Sequence, residues 1–267
     1  MASTGRVDGL VYEIDGAGPP VLLLHTGLAD RGMWNPQWEA LCARFTAIRY
    51  DARAFGESDD PGADFAPHED ARAVMAAAGF DSAAVMGVSM GGATALNLAI
   101  DHPECVRALV AVSTTPHGTE PPADFAAEYG RIEAMIDAEE FEDANEAEVR
   151  AWVDGPGQPA ERVDPSVRSR LAKSNLELLR RQSPLKAEMR YPEPPASERL
   201  GDVTCPTLVV TGALDQPLVH SGSRALVEAT GARQVEFARA AHFPNLESPL
   251  EFLGVVIPFL EEHAGSS

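Results

Sequence analysis

The sequence is poor in cysteine, in positive charge and in long apolar runs. Its three cysteines, Cys42, Cys105 and Cys205, are far apart and odd in number. Neither a disulfide framework nor a zinc site with paired-ligand spacing fits them, so reduced, mostly buried thiols are expected. Lys and Arg total 21 against 41 for Asp and Glu, a net charge of −20. That balance repels nucleic acid and anionic membranes, and mainly favours solubility. No stretch reaches the roughly 18 uninterrupted apolar residues of a membrane span, and the opening MASTGRVDG has no secretory apolar core. A cytoplasmic protein without nucleic-acid or membrane partners is expected, as a monomer or homodimer.

The chain has 267 residues, 45% of them in the AVILMFWYC set. That length suits one α/β domain carrying an insertion. RVDGLVYEIDG alternates like a half-exposed early strand, and PPVLLLHTG reads as a strand buried on both faces. FTAIRYDA follows as a strand, and a helix is expected from about Pro67 to Ala78, ended by Gly79. The alternation recurs in SAAVMGVS, GATALNLAIDHP and VRALVAVST, which predicts βαβ units in a parallel sheet. It breaks after Pro116 and resumes at CPTLVVTGA, helix SGSRALVEATG, strand RQVEFARA and a last helix from about Leu246 to His263. Residues 1–116 and 198–267 thus read as the core, and 117–197 as a helical insertion.

Within the insertion Phe125, Tyr129, Ile132 and Ile136 form one apolar stripe. Asp164-Pro165 is an N-cap and first-turn pair for a helix with Val167, Leu171 and Leu178 inward. Residues 119–148 hold eleven acids and only Arg131, whereas 160–190 hold eight bases and four acids. The two halves are expected to attract each other, or one to frame a substrate entrance; two solvated helix faces would carry the same pattern.

Gly87-Val88-Ser89-Met90-Gly91 satisfies G-x-S-x-G directly after a buried strand and before a helix. Glycines and a serine also occur at such turns for packing, so Ser89 needs partners before it reads as a nucleophile. A serine hydroxyl requires a base, and the base an orienting acid. Asp215 follows the strand TLVVTGALDQP, and His242 follows the next strand, in the order Ser, Asp, His. His25, His68, His102 and His117 precede Asp215, His220 sits at the entry to a helix and His263 in a terminal tail, so that only His242 follows a strand after Asp215. The Met90 amide, at the start of the helix, is the first expected oxyanion donor. Gly27 in the His25-Thr26-Gly27-Leu28 loop is favoured as the second, with Leu28 next. Leu28, Met33, Trp34, Met90, Val219, Phe243 and inward residues of the insertion such as Trp152 are candidate pocket walls, each equally able to be ordinary core.

LLLHTG, DARAFGES, GVSMGG, TGALDQP and AAHFPNLESP resemble the oxyanion loop, post-strand loop, nucleophile elbow, acid loop and histidine loop of the α/β-hydrolase fold family. The likeness covers nearly the whole chain, and is closest to the lidded branch of 3-oxoadipate enol-lactonase-like esterases and lactonases. It implies an α/β three-layer fold with an eight-stranded, mostly parallel sheet, a helical lid at about 117–197 and no cofactor. Two positions depart from the pattern. Thr26 and Ala54 replace customary glycines, so Thr26 either offers a hydroxyl to the pocket or reshapes the loop, and the turn at Ala54 is expected not to require a glycine-only conformation. Asp51, Arg53 and Ser58 are read as structural, as is His25.

The expected activity is metal-independent hydrolysis of a small carboxylic ester or lactone through Ser89, His242 and Asp215, since no His or Cys pair has ligand spacing. Neutral or mildly alkaline pH should suit an imidazole base. The alternatives are a carbon–carbon hydrolase or lyase, a perhydrolase using the same triad, and a ligand receptor without turnover.

Overall fold

The computed structural model describes residues 2–265. The chain opens with a hairpin, β1 (Ser3–Val7) and β2 (Leu10–Gly16), paired antiparallel. Asp8 and Gly9 turn it, at φ 48° and 85°. RVDGLVYEIDG is therefore two strands, not one, because Asp-Gly supplies the two positive-φ residues of a tight hairpin turn.

Strands and helices then alternate: β3 (Pro20–Leu24), α1 (Asn35–Cys42), β4 (Thr46–Tyr50), α2 (Pro67–Ala77), β5 (Ala83–Val88), α3 (Met90–Asp101) and β6 (Val106–Val112). After an excursion come β7 (Thr207–Gly212), α7 (Pro217–Thr230), β8 (Arg233–Phe237), a short α8 (Pro244–Glu247) and α9 (Pro249–His263). The last helix is broken at Ser248, which sits at φ −138°, ψ 60° before Pro249. A residue preceding proline is driven out of helical geometry, which splits the single helix the sequence suggested.

Eight strands form one sheet in the order β1-β2-β4-β3-β5-β6-β7-β8. The pairings of β2 with β1 and β4 are antiparallel; the others are parallel. Every residue of β3, β5 and β7 is buried, as strands covered by helices on both faces must be. One apolar cluster, with Trp34, Phe45, Phe243 and Phe252, packs on one face, and a second, with Ile48, Met75, Leu96 and Leu226, on the other. This is a three-layer α/β fold, and its parallel strands end at one edge, where a crevice forms.

The excursion between β6 and β7 is helical: α4 (Ala123–Asp137), α5 (Phe141–Glu148), a π-helical turn at Val149–Asp154, and α6 (Pro165–Gln182). Asp164 caps α6 by accepting the Ser166 N–H at 2.8 Å, with Pro165 in the first turn. The acidic and basic halves meet. Arg168 bonds Glu146 at 3.0 Å and grips Asp154 with two bonds of 2.8 and 2.9 Å, and Arg180 pairs with Glu142. Arg181 ties α6 to the loop after β4 through Asp60, Gly56 O and Ser58 O at 2.6–2.9 Å.

Candidate active site

Between β5 and α3 the backbone reverses within one residue. Ser89 sits at φ 54°, ψ −113°, a conformation that costs a non-glycine residue about 1–3 kcal/mol. Close approach explains the glycines beside it. A Cβ at Gly87 would fall 2.2 Å from Gly91 O, and one at Gly91 would fall 2.5 Å from Leu24 O and His25 O. The turn thus holds Ser89, half-buried, at the carboxyl edge of the sheet, on the wall of a cavity of about 660 Å³.

Asp215 follows β7 and His242 follows β8, and the structure brings them together. His242 Nδ1 lies 2.9 and 3.0 Å from the two Asp215 carboxylate oxygens, and both side chains are buried. The Gln216 N–H donates to Asp215 at 2.7 Å, fixing the carboxylate. Phe243 stands edge-on to the His242 ring at 5.1 Å, and the Trp152 ring lies 4.5 Å from it.

The loop after β3 reaches the same cavity. Gly27, Leu28, Met90 and Gly91 are among its walls, and a Cβ at Gly27 would stand 3.9 Å from Met90 Sδ. The Met90 amide opens α3, where first-turn N–H groups have no intrahelical acceptor. Thr26 does not line the cavity. Its N–H donates to Met33 Sδ at 3.3 Å, and its buried hydroxyl has no hydrogen-bond partner among the described residues. Thr26 therefore shapes the loop from beneath.

His25, unlike Thr26, is among the cavity's lining residues, and both its ring nitrogens are engaged by backbone, Nε2 accepting the Ala52 N–H at 2.9 Å and Nδ1 donating to Thr26 O at 2.7 Å. Burial holds its pKa below the ordinary imidazole value. Asp51 organises the next loop, accepting the Arg31 and Glu57 N–H groups at 2.8 Å each. The Ser58 hydroxyl donates to Asp51 O at 2.6 Å and accepts the Val11 N–H at 2.8 Å. Ala54 contradicts its expectation: it adopts φ 64°, the left-handed region glycine favours. The loop geometry is imposed by Asp51 and Ser58, and Ala54 bears roughly 1–2 kcal/mol of strain for it.

Not every expected wall is one. Leu28 and Trp152 line the cavity, but Trp34, Val219 and Phe243 do not. Trp34 and Phe243 are fully buried in the core cluster with Met33, and Val219 is sealed at the start of α7. Nearness in sequence to a loop says little about which way a large ring turns once an apolar core is available to it. Leu178, an inward residue of the helical excursion, lines the cavity as such residues were expected to, whereas Tyr129, Glu148 and Asn175 were not named as walls. Asn175 had a signal: it occupies the inward stripe between Leu171 and Leu178, where a polar residue needs a reason. Among the described residues no cluster of three metal-ligating side chains occurs, and no helix is long and apolar enough to cross a membrane.

A strand order of this kind, with a strained serine at the fifth strand and a histidine–carboxylate pair at the same edge, defines the α/β-hydrolase class of fold. The sequence profile of the Alpha/beta hydrolase family matches residues 21–255, and the chain belongs to that family. A RutD protein of Caulobacter vibrioides, provisionally named a carbamate hydrolase, is 41% identical over 117 residues, 41% of this chain. That match spans 44% of the relative, so the chain covers less than half of its length. Among solved structures, a hydrolase from Pseudomonas aeruginosa PA01 superposes with a TM-score of 0.78 at 27% identity, covering 97% of this chain and 98% of that one. The enol-lactonase of Burkholderia xenovorans LB400 superposes with a TM-score of 0.76 at 24% identity, covering 97% and 100%. The fold is thus shared with enol-lactonase-like hydrolases.

Proposed function

We propose that the protein hydrolyses a small carboxylic ester or lactone with Ser89 as nucleophile, His242 as base and Asp215 as orienting acid. The buried His242–Asp215 pair, at the sheet edge where Ser89 is held in a strained turn, carries the reading. His242 takes the Ser89 proton as Oγ attacks the carbonyl carbon, and Asp215 stabilises the imidazolium and fixes its tautomer. The Met90 and Gly27 amides receive the negative oxygen, each such donor lowering the barrier by roughly 3–4 kcal/mol. His242 gives that proton to the leaving oxygen, then draws one from water as hydroxide adds to the acyl carbon, and returns it to Ser89 Oγ as the bond to the acyl carbon breaks and the acid leaves.

The helices at 117–197 serve as a lid, placing Trp152 against His242 and Tyr129 in the cavity wall. The RutD likeness adds carbamates to the substrates worth testing, since an acyl carbon bearing nitrogen meets the same nucleophile and oxyanion donors. The test is a panel of aryl esters, lactones and carbamates with wild-type protein and Ser89→Ala, together with labelling by an aryl phosphonate. Turnover and labelling that both vanish in Ser89→Ala support the proposal; turnover retained by a clean Ser89→Ala preparation overturns it.

A further inference from the structure

The cavity is apolar over most of its wall, yet the lid sends a carboxyl into it. Glu148, at the end of α5, is 94% buried by its 6% exposure and still lines the cavity. Its hydrogen-bond donor is Asn175 Nδ2, at 2.6 Å from Oε2, and Asn175 is itself held by Asn145 at 3.1 Å. Among the described residues no Lys, Arg or His pairs with Glu148, and burial pushes its pKa up. An ionised carboxylate withdrawn from water is costly unless a cation meets it.

The other charged groups of the wall do not supply that cation. Arg53 is gripped at both nitrogens by Asp70, at 2.7 and 2.8 Å, and Glu188 is an exposed carboxylate. The wall therefore carries net negative charge within a chain of net −20. Aromatic faces accompany it. Tyr129, Trp152 and Tyr191 line the same cavity. Phe125 packs on both of the first two rings at 5.7 Å, and His117 stacks on the third at 3.9 Å. Burial, and then the Glu148 charge, push the Tyr129 hydroxyl up to about 12, so its ring stays neutral. Neutral aromatic faces beside an uncompensated carboxylate attract one chemical class strongly, an organic cation.

We propose that the lid half of the cavity is a cation subsite, in which Glu148 and the rings of Tyr129 and Trp152 bind a substituted ammonium group of the substrate, remote from the carbonyl offered to Ser89. The hydrolase reading supplies only the reactive end; binding of the cation does not need it. The substrate class becomes an amino- or ammonio-substituted ester or lactone.

The test uses two isosteric pairs. Choline and its neutral analogue 3,3-dimethylbutan-1-ol are titrated calorimetrically into wild-type protein, Ser89→Ala, Glu148→Gln and Tyr129→Leu. The 4-nitrophenyl esters of 4-(trimethylammonio)butanoate and 5,5-dimethylhexanoate are compared by kcat/KM. Wild type and Ser89→Ala should prefer choline by about tenfold or more, the size of a desolvated cation–π contact reinforced by a carboxylate. Glu148→Gln should abolish the preference, and Tyr129→Leu should weaken choline while sparing the alcohol. The ratio of kcat/KM for the cationic ester over the neutral ester should fall about tenfold in Glu148→Gln. Equal binding of the pair, no saturable binding of choline, or a preference kept by Glu148→Gln overturns the subsite. If choline is preferred and neither these esters nor any member of the ester, lactone and carbamate panel is cleaved, the subsite stands and the hydrolase reading falls.

Discussion

The indole of Trp152 and the imidazole of His242 lie with ring centroids 4.5 Å apart, inclined at 48°. One ring belongs to the helical insertion and the other to the loop after β8, so the insertion covers the proposed base directly. Trp152 sits in the π-helical turn, a local widening that sets its side chain off the α-helical register. Replacing Trp152 with Ala should admit water to His242 and loosen its orientation. The expected loss in kcat/KM is about 10- to 100-fold, with most activity restored by Trp152→Phe. Steady-state kinetics on an ester found active in the panel checks this; equal losses in both variants would mean the ring does not position the base.

Ser89 combines strain with the proposed chemistry, and the two separate by substitution. Ser89→Ala removes the hydroxyl and keeps φ 54°, so turnover should fall on the order of 10⁴-fold or more with little change in stability. Ser89→Gly should be as inactive but more stable by about 1 kcal/mol, the strain relieved less the extra backbone entropy of glycine. Urea unfolding of the three proteins measures the difference. A glycine variant no more stable than the alanine variant would show that the elbow is unstrained.

The buried imidazole of His25 makes folding depend on pH. Burial depresses its folded pKa below the unfolded value near 6.5, the bond to Thr26 O opposing this only in part. Above the unfolded value both states are neutral and the contribution of His25 is fully present. As pH falls below it the unfolded chain takes up a proton that the folded chain refuses, so stability drops until the folded pKa is passed. Wild type should therefore lose Tm between about pH 7 and 5 more steeply than His25→Gln, which keeps an acceptor for the Ala52 N–H but has no proton to gain. Thermal melts across that range check the difference in slope.

What the sequence made legible was whatever is written locally. Buried strands are continuous apolar runs, and β3, β5 and β7 could hardly be read otherwise. The elbow was visible because its glycines are required by backbone approach. Asp215 and His242 followed from order along parallel strands. The Asp8-Gly9 turn was equally local and was passed over because alternation continued across it. Cavity walls were another matter. Trp34 turns into the core and Glu148 out of α5 because of where whole helices pack, and no short stretch records that. The conformation of Ala54 was hidden for a similar reason, since the hydrogen bonds of Asp51 and Ser58 dictate it from outside the residue.

Arg162 is the test of whether the insertion and the histidine loop act as one unit. Its guanidinium pairs with Glu247, donates to Asp154 O and Val153 O at 2.9 and 2.8 Å, and reaches Arg239 O at 2.7 Å. Glu247 in turn accepts the Ala241 N–H at 2.9 Å, one residue before His242. Burial raises the Glu247 pKa, and Arg162 restrains that rise. Arg162→Met would leave the carboxylate buried and unpaired, at a cost of about 3–5 kcal/mol near neutral pH. The sign of its pH dependence is fixed. Without Arg162 the folded pKa of Glu247 rises further, so the deficit is full above that value and fades as pH falls and the carboxyl takes up a proton. Adding Glu247→Gln to Arg162→Met should recover part of the loss at pH 7 and none at pH 4, since the first substitution then removes no charge. Turnover should track position and not stability alone: at a temperature where the double variant is fully folded, its kcat should remain below wild type, because Arg239–Ala241 has lost its tie to the turn that carries Trp152. Wild-type kcat in that variant would show that the histidine loop holds its geometry without the insertion.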